Sequence, residues 1–265
     1  MEFKISFSGR AHAYSDEEID TVVTAMKDAN PLTQGKYLKA FEEKFRYYIG
    51  TGYAFAVCNA TAALEISAQL CQFQMGDEVI IPSHTFTSTA YPFAKKGARI
   101  VWADIDLKSR VVTAQTLAKR ITPKAKAIVV PHLYGFGAEM PEIMDLAERH
   151  NLLVVEDAAQ VLGVDVAGKK AGSFGDFGIF SFHSHKNITT LGEGGMLVVK
   201  DEKLANIVPQ LRHNGHCSFP NTRTDYWIPA MGNVDFPEIN GETLWPNNFC
   251  LGEVECALGS KLLDR

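Results

Sequence analysis

Short runs of β-branched and aromatic residues recur along this 265-residue chain: YAFAV, DEVIIP, RIVWAD, AKAIVVP, LLVVED, FGIFSF and GMLVV. Most are apolar at every position rather than at alternate ones, so the strands they predict must be covered on both faces. That requirement selects a mostly parallel sheet flanked by helices. Helical spacing fills the gaps in TAALEISAQLCQF, TSTAYPFAKKG, AQTLAKRI and MPEIMDLAERHN, and two more helical patterns, SDEEIDTVVTAMKDA and KYLKAFEEKFRYYI, precede the first strand. Ser15 with Glu18 forms a capping box for the first of these. The expected architecture is an open α/β sheet whose ligands lie at the carboxyl ends of its strands.

Charge and composition exclude several functions. Twenty-six basic residues face 31 acidic ones, for a net charge of -5, and no basic cluster tracks a nucleic-acid backbone, so nucleic acid is not an expected partner. Apolar runs such as AIVVPHLYGF break at Pro or His long before they could span a bilayer, so no membrane association is expected. The cysteines at 58, 71, 217, 250 and 256 are odd in number and lack a CxxC pair, which reads as free thiols in a reducing compartment. The first residues, MEFKISFSGRAHAYSDEE, carry charges where a signal peptide needs an unbroken apolar core, and the expectation is a cytoplasmic protein.

Four loops after predicted strands carry chemical handles. In CNATAAL, the amides near Ala60 and Thr61 and the Thr61 hydroxyl could hold a phosphate at a helix N-terminus, although taken alone the segment reads more readily as an ordinary N-cap. PSHTFTST places His84 and Phe86 at a strand end, where Phe86 could stack on a flat ligand or simply pack in a core. Asp157 closes the apolar run LLVVED with Gln160 one turn onward, and strand-end acids are also common structural caps. Ser181 and Lys186 follow FGIFSF, and a lysine between an apolar strand and a glycine-rich turn can be desolvated enough to act as a nucleophile that forms a Schiff base. His183 and His185, and the HNGH of His213 and His216, lack a carboxylate or cysteine at matching spacing, so no metal is expected. Glu193 in GEGG reads as part of a tight turn whose glycines permit positive φ. From Gly215 to Asn248 periodicity lapses into a stretch rich in Pro, Asn and aromatics, read as a long loop that is either functional or poorly ordered.

Together these segments resemble the DegT/DnrJ/EryC1/StrS family of sugar aminotransferases, fold type I enzymes that use pyridoxal 5'-phosphate. NATAAL at 59–64 resembles the family's phosphate loop SGTAAL, PSHTFTST at 82–89 its PxxTFxAT segment, and residues 155–160 reproduce VEDAAQ. Residues 181–195 match its lysine motif, with SFH before the lysine and GEGG after it. The resemblance implies that Lys186 carries the cofactor and shuttles the proton, and that Asp157 partners the pyridinium nitrogen. It further implies that Gln160 reaches the phenolic oxygen, that Phe86 stacks on the ring, and that Ala60, Thr61 and Ser181 bind the phosphate. Lysine at 186 fits an aminotransferase, since the related sugar 3-dehydratases carry histidine there. PNNFCL at 246–251 resembles GYNYRM, keeping Asn248, which in relatives contacts the cofactor phosphate of the neighbouring subunit, but with Cys250 in place of the usual arginine.

A homodimer with shared active sites is therefore implied. The implied reaction moves an amino group, usually from glutamate, to a keto sugar, in the first instance a nucleotide-linked 3- or 4-keto-deoxyhexose. A keto-inositol or another keto sugar without a nucleotide is the alternative, as is a non-catalytic cofactor-binding fragment. Residues 1–248 read as the N-terminal helices plus the large domain, and residues 249–265 as the start of a helix toward a small C-terminal domain that relatives carry and that this sequence is expected to lack. Leu251, Val254, Leu258 and Leu262 should share one face of that helix.

Overall fold

A computed structural model describes residues 12–215 and 244–265. Seven strands form the main sheet: β1 (Tyr53–Val57), β2 (Glu78–Pro82), β3 (Arg99–Ala103), β4 (Ala125–Pro131), β5 (Leu153–Asp157), β8 (Phe177–Ser181) and β9 (Gly195–Val199), with β6 (Asp165–Val166) and β7 (Lys169–Lys170) paired in a small separate hairpin. The order across the sheet is β1-β9-β8-β5-β4-β2-β3. Strands β3, β2, β4, β5 and β8 pair in parallel, and β9 runs antiparallel to both β8 and β1. The mostly parallel sheet and all seven of its predicted strands are present. Residues 182–194, between β8 and β9, form a loop with no helix to cross the sheet, and β9 returns antiparallel beside β8.

The helices are α1 (Asp16–Asp28), α2 (Lys36–Ile49), α3 (Ala60–Leu70), α4 (Tyr91–Lys95), α5 (Ala114–Ala118), α6 (Met140–His150), α7 (Glu202–Arg212) and α8 (Glu253–Leu262). Strand alternation divides the apolar residues between two cores. Ala56, Ile80, Ile128, Val130, Val154 and Phe180 face one layer with α2, α6 and α8, while Val57, Val79, Ile81, Val129, Val155 and Ile179 face the other with α3 and α7. Burial on both faces is what the unbroken apolar runs demanded. Strands β1 and β3 are the edges, and Trp102 on β3 is half exposed.

The Ser15 capping box is present: Glu18 N–H donates to Ser15 Oγ at 3.3 Å and Ser15 N–H to Glu18 Oε2 at 2.9 Å. The segment predicted as one helix from 87 to 97 is instead a single 3₁₀ turn, Thr87–Thr89, followed by α4, because Pro92 lacks the amide needed to carry the ladder through. The last helix starts at Glu253 with Gly252 as its N-cap. Leu251 therefore lies just before it, buried along with Leu258 and Leu262, while Val254 is half-buried. Among the described residues no helix is long and apolar enough to cross a membrane. His216, Cys217 and most of the irregular 215–248 segment lie outside the described residues.

Candidate active site

The carboxyl ends of β1, β4, β5 and β8 open onto a cavity of about 430 Å³. Its walls include Ala60 and Thr61 from the start of α3, Phe86 from the 3₁₀ turn, Asp157 and Gln160 after β5, and Ser181 and Lys186 after β8. Residues drawn from four separated loops thus meet in one place, as a doubly covered α/β sheet allows. Asn248 is not among them. It is exposed and its backbone bridges to His213, just after α7.

At the β1–α3 corner the cap is Asn59, whose side-chain oxygen accepts from Ala62 N–H at 2.8 Å. Thr61 is therefore not the cap. It lines the cavity with Ala60, at a helix start whose first-turn amides have no carbonyls of the helix to satisfy them. Beneath this corner lies Gly195. A Cβ there would come within 2.5 Å of the Asn59 carbonyl carbon and 2.6 Å of Ala60 N, so only glycine lets β9 run this close under the loop. The expectation that the GEGG glycines serve positive φ holds for Gly192, at φ +122°, and is corrected for Gly194 and Gly195, whose role is close approach.

Phe86 is 66% exposed, which excludes the core-packing use left open by the sequence. Asp157 is only 7% exposed. Its Oδ2 accepts from Thr89 Oγ1 at 2.7 Å and its Oδ1 from Ala159 N–H at 3.3 Å, the second bond long enough to leave Oδ1 largely available. Gln160 is oriented by the tight turn that brings Leu133 and Phe136 together, with Tyr134 at φ 55° and Gly135 at φ 83°. Tyr134 N–H donates to Gln160 Oε1 at 2.9 Å, which leaves the Gln160 amide NH2 as the donor still to be used.

Lys186 follows a turn closed by its own N–H donating to His183 O at 2.9 Å. Burial lowers the pKa of its ammonium, against a smaller opposing influence from the Asp157 carboxylate. His183 and His185 stack at 5.4 Å, and His183 Nε2 lies 3.8 Å from Glu193 Oε1. Among the described residues no group of three or more His, Cys, Asp or Glu side chains is placed to hold a metal ion.

Three polar residues behind the cavity escaped the sequence reading. Glu156 is fully buried and accepts from His132 Nε2 at 3.0 Å and from the amides of Gly172, Phe174 and Gly175 at 2.7–2.8 Å. Ala138 N–H donates to His132 Nδ1, so the proton shared with Glu156 sits on Nε2. The legible signal was a glutamate inside an otherwise apolar buried strand, which cannot be left without donors. Thr89 carried no comparable signal, because its partner Asp157 lies 68 positions away.

The donor set fits a flat anionic pyridine cofactor bearing a phosphate. The carboxylate could face a ring nitrogen, the Gln160 amide a ring hydroxyl, Phe86 a ring face and the α3 amides with Ser181 a phosphate, while a lysine with a lowered pKa could attack an aldehyde.

A model of the DegT/DnrJ/EryC1/StrS aminotransferase family matches residues 13–265. The chain is 38% identical over 248 residues to GDP-perosamine synthase of Caulobacter vibrioides, covering 94% of this chain and 62% of that protein. It is 38% identical over 238 residues to the UDP-N-acetyl-3-dehydro-alpha-D-glucosamine 3-aminotransferase of Acidithiobacillus ferrooxidans, covering 87% and 64% respectively. The crystal structure of an aminotransferase from Psychrobacter cryohalolentis superimposes with a TM-score of 0.85 at 31% identity, covering 98% of this chain and 64% of that one. The chain thus spans a little under two thirds of the length of the relatives it matches.

Proposed function

The chain belongs to the DegT/DnrJ/EryC1/StrS aminotransferase family, and from that premise we propose that it binds pyridoxal 5'-phosphate and transfers an amino group to a keto sugar, with glutamate as the donor. The observation that carries this reading is the meeting of Lys186, Asp157 and Gln160 in one cavity beside the α3 N-terminus. The names of the two relatives above support a nucleotide-linked keto sugar as the acceptor.

When bound, the cofactor supplies a protonated pyridine ring able to take up the electron pair left as the donor's α-proton departs. Asp157 is suited to keep that proton on the ring nitrogen, because its buried carboxylate is held by Thr89 and has Oδ1 to spare. Lys186 Nζ, whose charged form is disfavoured by burial, would accept the donor's α-proton and pass it to the cofactor's former aldehyde carbon. The Gln160 NH2 would donate to the ring hydroxyl, Phe86 would cover a ring face, and the Ala60 and Thr61 amides with the Thr61 and Ser181 hydroxyls would hold the phosphate. Asn248, exposed and outside this cavity, is assigned to the phosphate of a neighbouring copy in a homodimer.

The test is optical. Adding pyridoxal phosphate to the full chain should produce a visible absorbance band that borohydride fixes onto Lys186 and that glutamate bleaches. Lys186→Ala should abolish borohydride fixation at that position. A wild-type protein that stays colourless overturns the assignment, and a coloured protein unmoved by glutamate overturns the amino transfer.

A further inference from the structure

The ring-facing carboxylate has a support of its own. Thr89 is fully buried at the end of the 3₁₀ turn, where its N–H donates to Phe86 O at 3.0 Å. Its hydroxyl donates to Asp157 Oδ2 at 2.7 Å and in turn meets Thr85 Oγ1 at 2.9 Å. The directions are forced. An ionised carboxylate only accepts, so the single Thr89 proton points at Asp157, and the Thr85 proton must then point at Thr89. Both hydroxyls donate the same way, each strengthening the next, and the row ends on the one charged atom. Thr85, part-exposed on the cavity wall, is the wet end.

We propose that Thr89, with Thr85 behind it, is a positioning residue that locks the Asp157 carboxylate through Oδ2 and so presents Oδ1 to the ring nitrogen of a bound pyridine cofactor. The inference rests on the proposal that this cavity takes pyridoxal phosphate. It explains why one short turn carries both Phe86 and Thr89: the surface for the ring face and the anchor for its nitrogen partner are set by the same backbone. Without Thr89, Asp157 Oδ2 would turn to water or to the ring, and the carboxylate would lose its fixed direction.

Pyridoxal phosphate titrated into the full chain, followed by visible absorbance and circular dichroism of the bound band, reads the effect directly. Thr89→Val should weaken cofactor binding about tenfold, the scale of a lost hydrogen bond to a charged group, and diminish the circular dichroism band. Thr89→Ser should restore both. In an Asp157→Asn background the further effect of Thr89→Val should shrink to about twofold or less, since the residue acts through the charge. Equal losses in the two backgrounds, or no loss from Thr89→Val, overturn the proposal. Should Thr89→Val fail to fold by its thermal melt, Thr85→Val at the wet end takes its place, with about a threefold loss expected and the same dependence on Asp157. Colourless wild-type protein would sink the cofactor reading itself, whereas a normal wild-type band with indifferent threonine variants would sink this inference alone.

Discussion

At Lys186 burial and the Asp157 carboxylate pull in opposite directions, and burial is the larger influence, so the folded protein binds this proton less tightly than the unfolded chain does. The unfolded state therefore holds more protons between the two values, and stability rises with pH across that window. The unfavourable contribution is fully present below the folded pKa and gone above the unfolded value of about 10.4. In cofactor-free protein, Lys186→Met should accordingly raise the melting temperature near pH 7 by about 2–4 °C, and the gain should vanish near pH 11. Thermal melts of both proteins at the two pH values check this, and a variant less stable at pH 7 would contradict it. The chemical identity of Lys186, Asp157 and Gln160 was legible because motif spacing is local. The Thr89 and Glu156 anchors were not, because each acquires its meaning from a partner or a loop that only folding brings near.

Among the elements, α2 shows how far a cap can come from. Its N-cap Gly35 has no side chain to offer, and the exposed amides are met by Glu253, whose carboxylate accepts from Gly35 at 2.8 Å, Tyr37 at 2.7 Å and Leu38 at 3.2 Å. Glu253 is itself buried in the first turn of α8, so the two helices start against each other. Glu253→Ala should destabilise the fold by about 2–3 kcal/mol, more than an ordinary cap because three amides, that of Leu38 buried and those of Gly35 and Tyr37 part-buried, lose their acceptor. Urea denaturation measures it, with Glu253→Gln expected to fall between the two. The local box at Ser15 and Glu18 could be read from four consecutive residues, whereas this one joins positions 218 apart. Helix α7 was missed for a different reason: Pro209 lies inside it, near its end, and the sequence carries the mark of a breaker where the structure continues to Arg212. That last turn matters, because buried Arg212 pairs with Glu42 and its Nη1 donates to Ala56 O at 2.7 Å, bracing β1 just before the Asn59 corner.

Over the whole molecule, α8 lies against α1 and α2 and ties the chain's two described ends together through Lys261 with Glu17, Lys44 with Asp264 and Arg265 with Glu18. Burial of Glu18 opposes its charge, but the Ser15 amide and the Arg265 guanidinium outweigh it and hold the carboxyl below the usual glutamate range. A depressed carboxyl contributes stability that is present above its unfolded pKa and lost as pH falls through the folded value. Acidification below about pH 4 should therefore release α1 and α8 before the central strands. Hydrogen exchange at stepped pH would see it as early loss of protection in residues 16–28 and 253–262, and Glu18→Gln should flatten that dependence. Simultaneous loss across β5 and β8 would contradict it.

The sequence by itself determined the seven strands, the three-layer α/β arrangement and most of the candidate residues that meet at the cavity, because strand and helix periods and motif spacings are written in neighbouring residues. Tertiary structure alone decided the strand order with β9 reversed, the approach of Gly195 beneath the Asn59–Ala60 corner, the Thr85–Thr89–Asp157 row and the Glu253 cap. Each of these joins groups distant along the chain, and which distant groups meet is set by the sum of packing over the whole fold rather than by any local pattern.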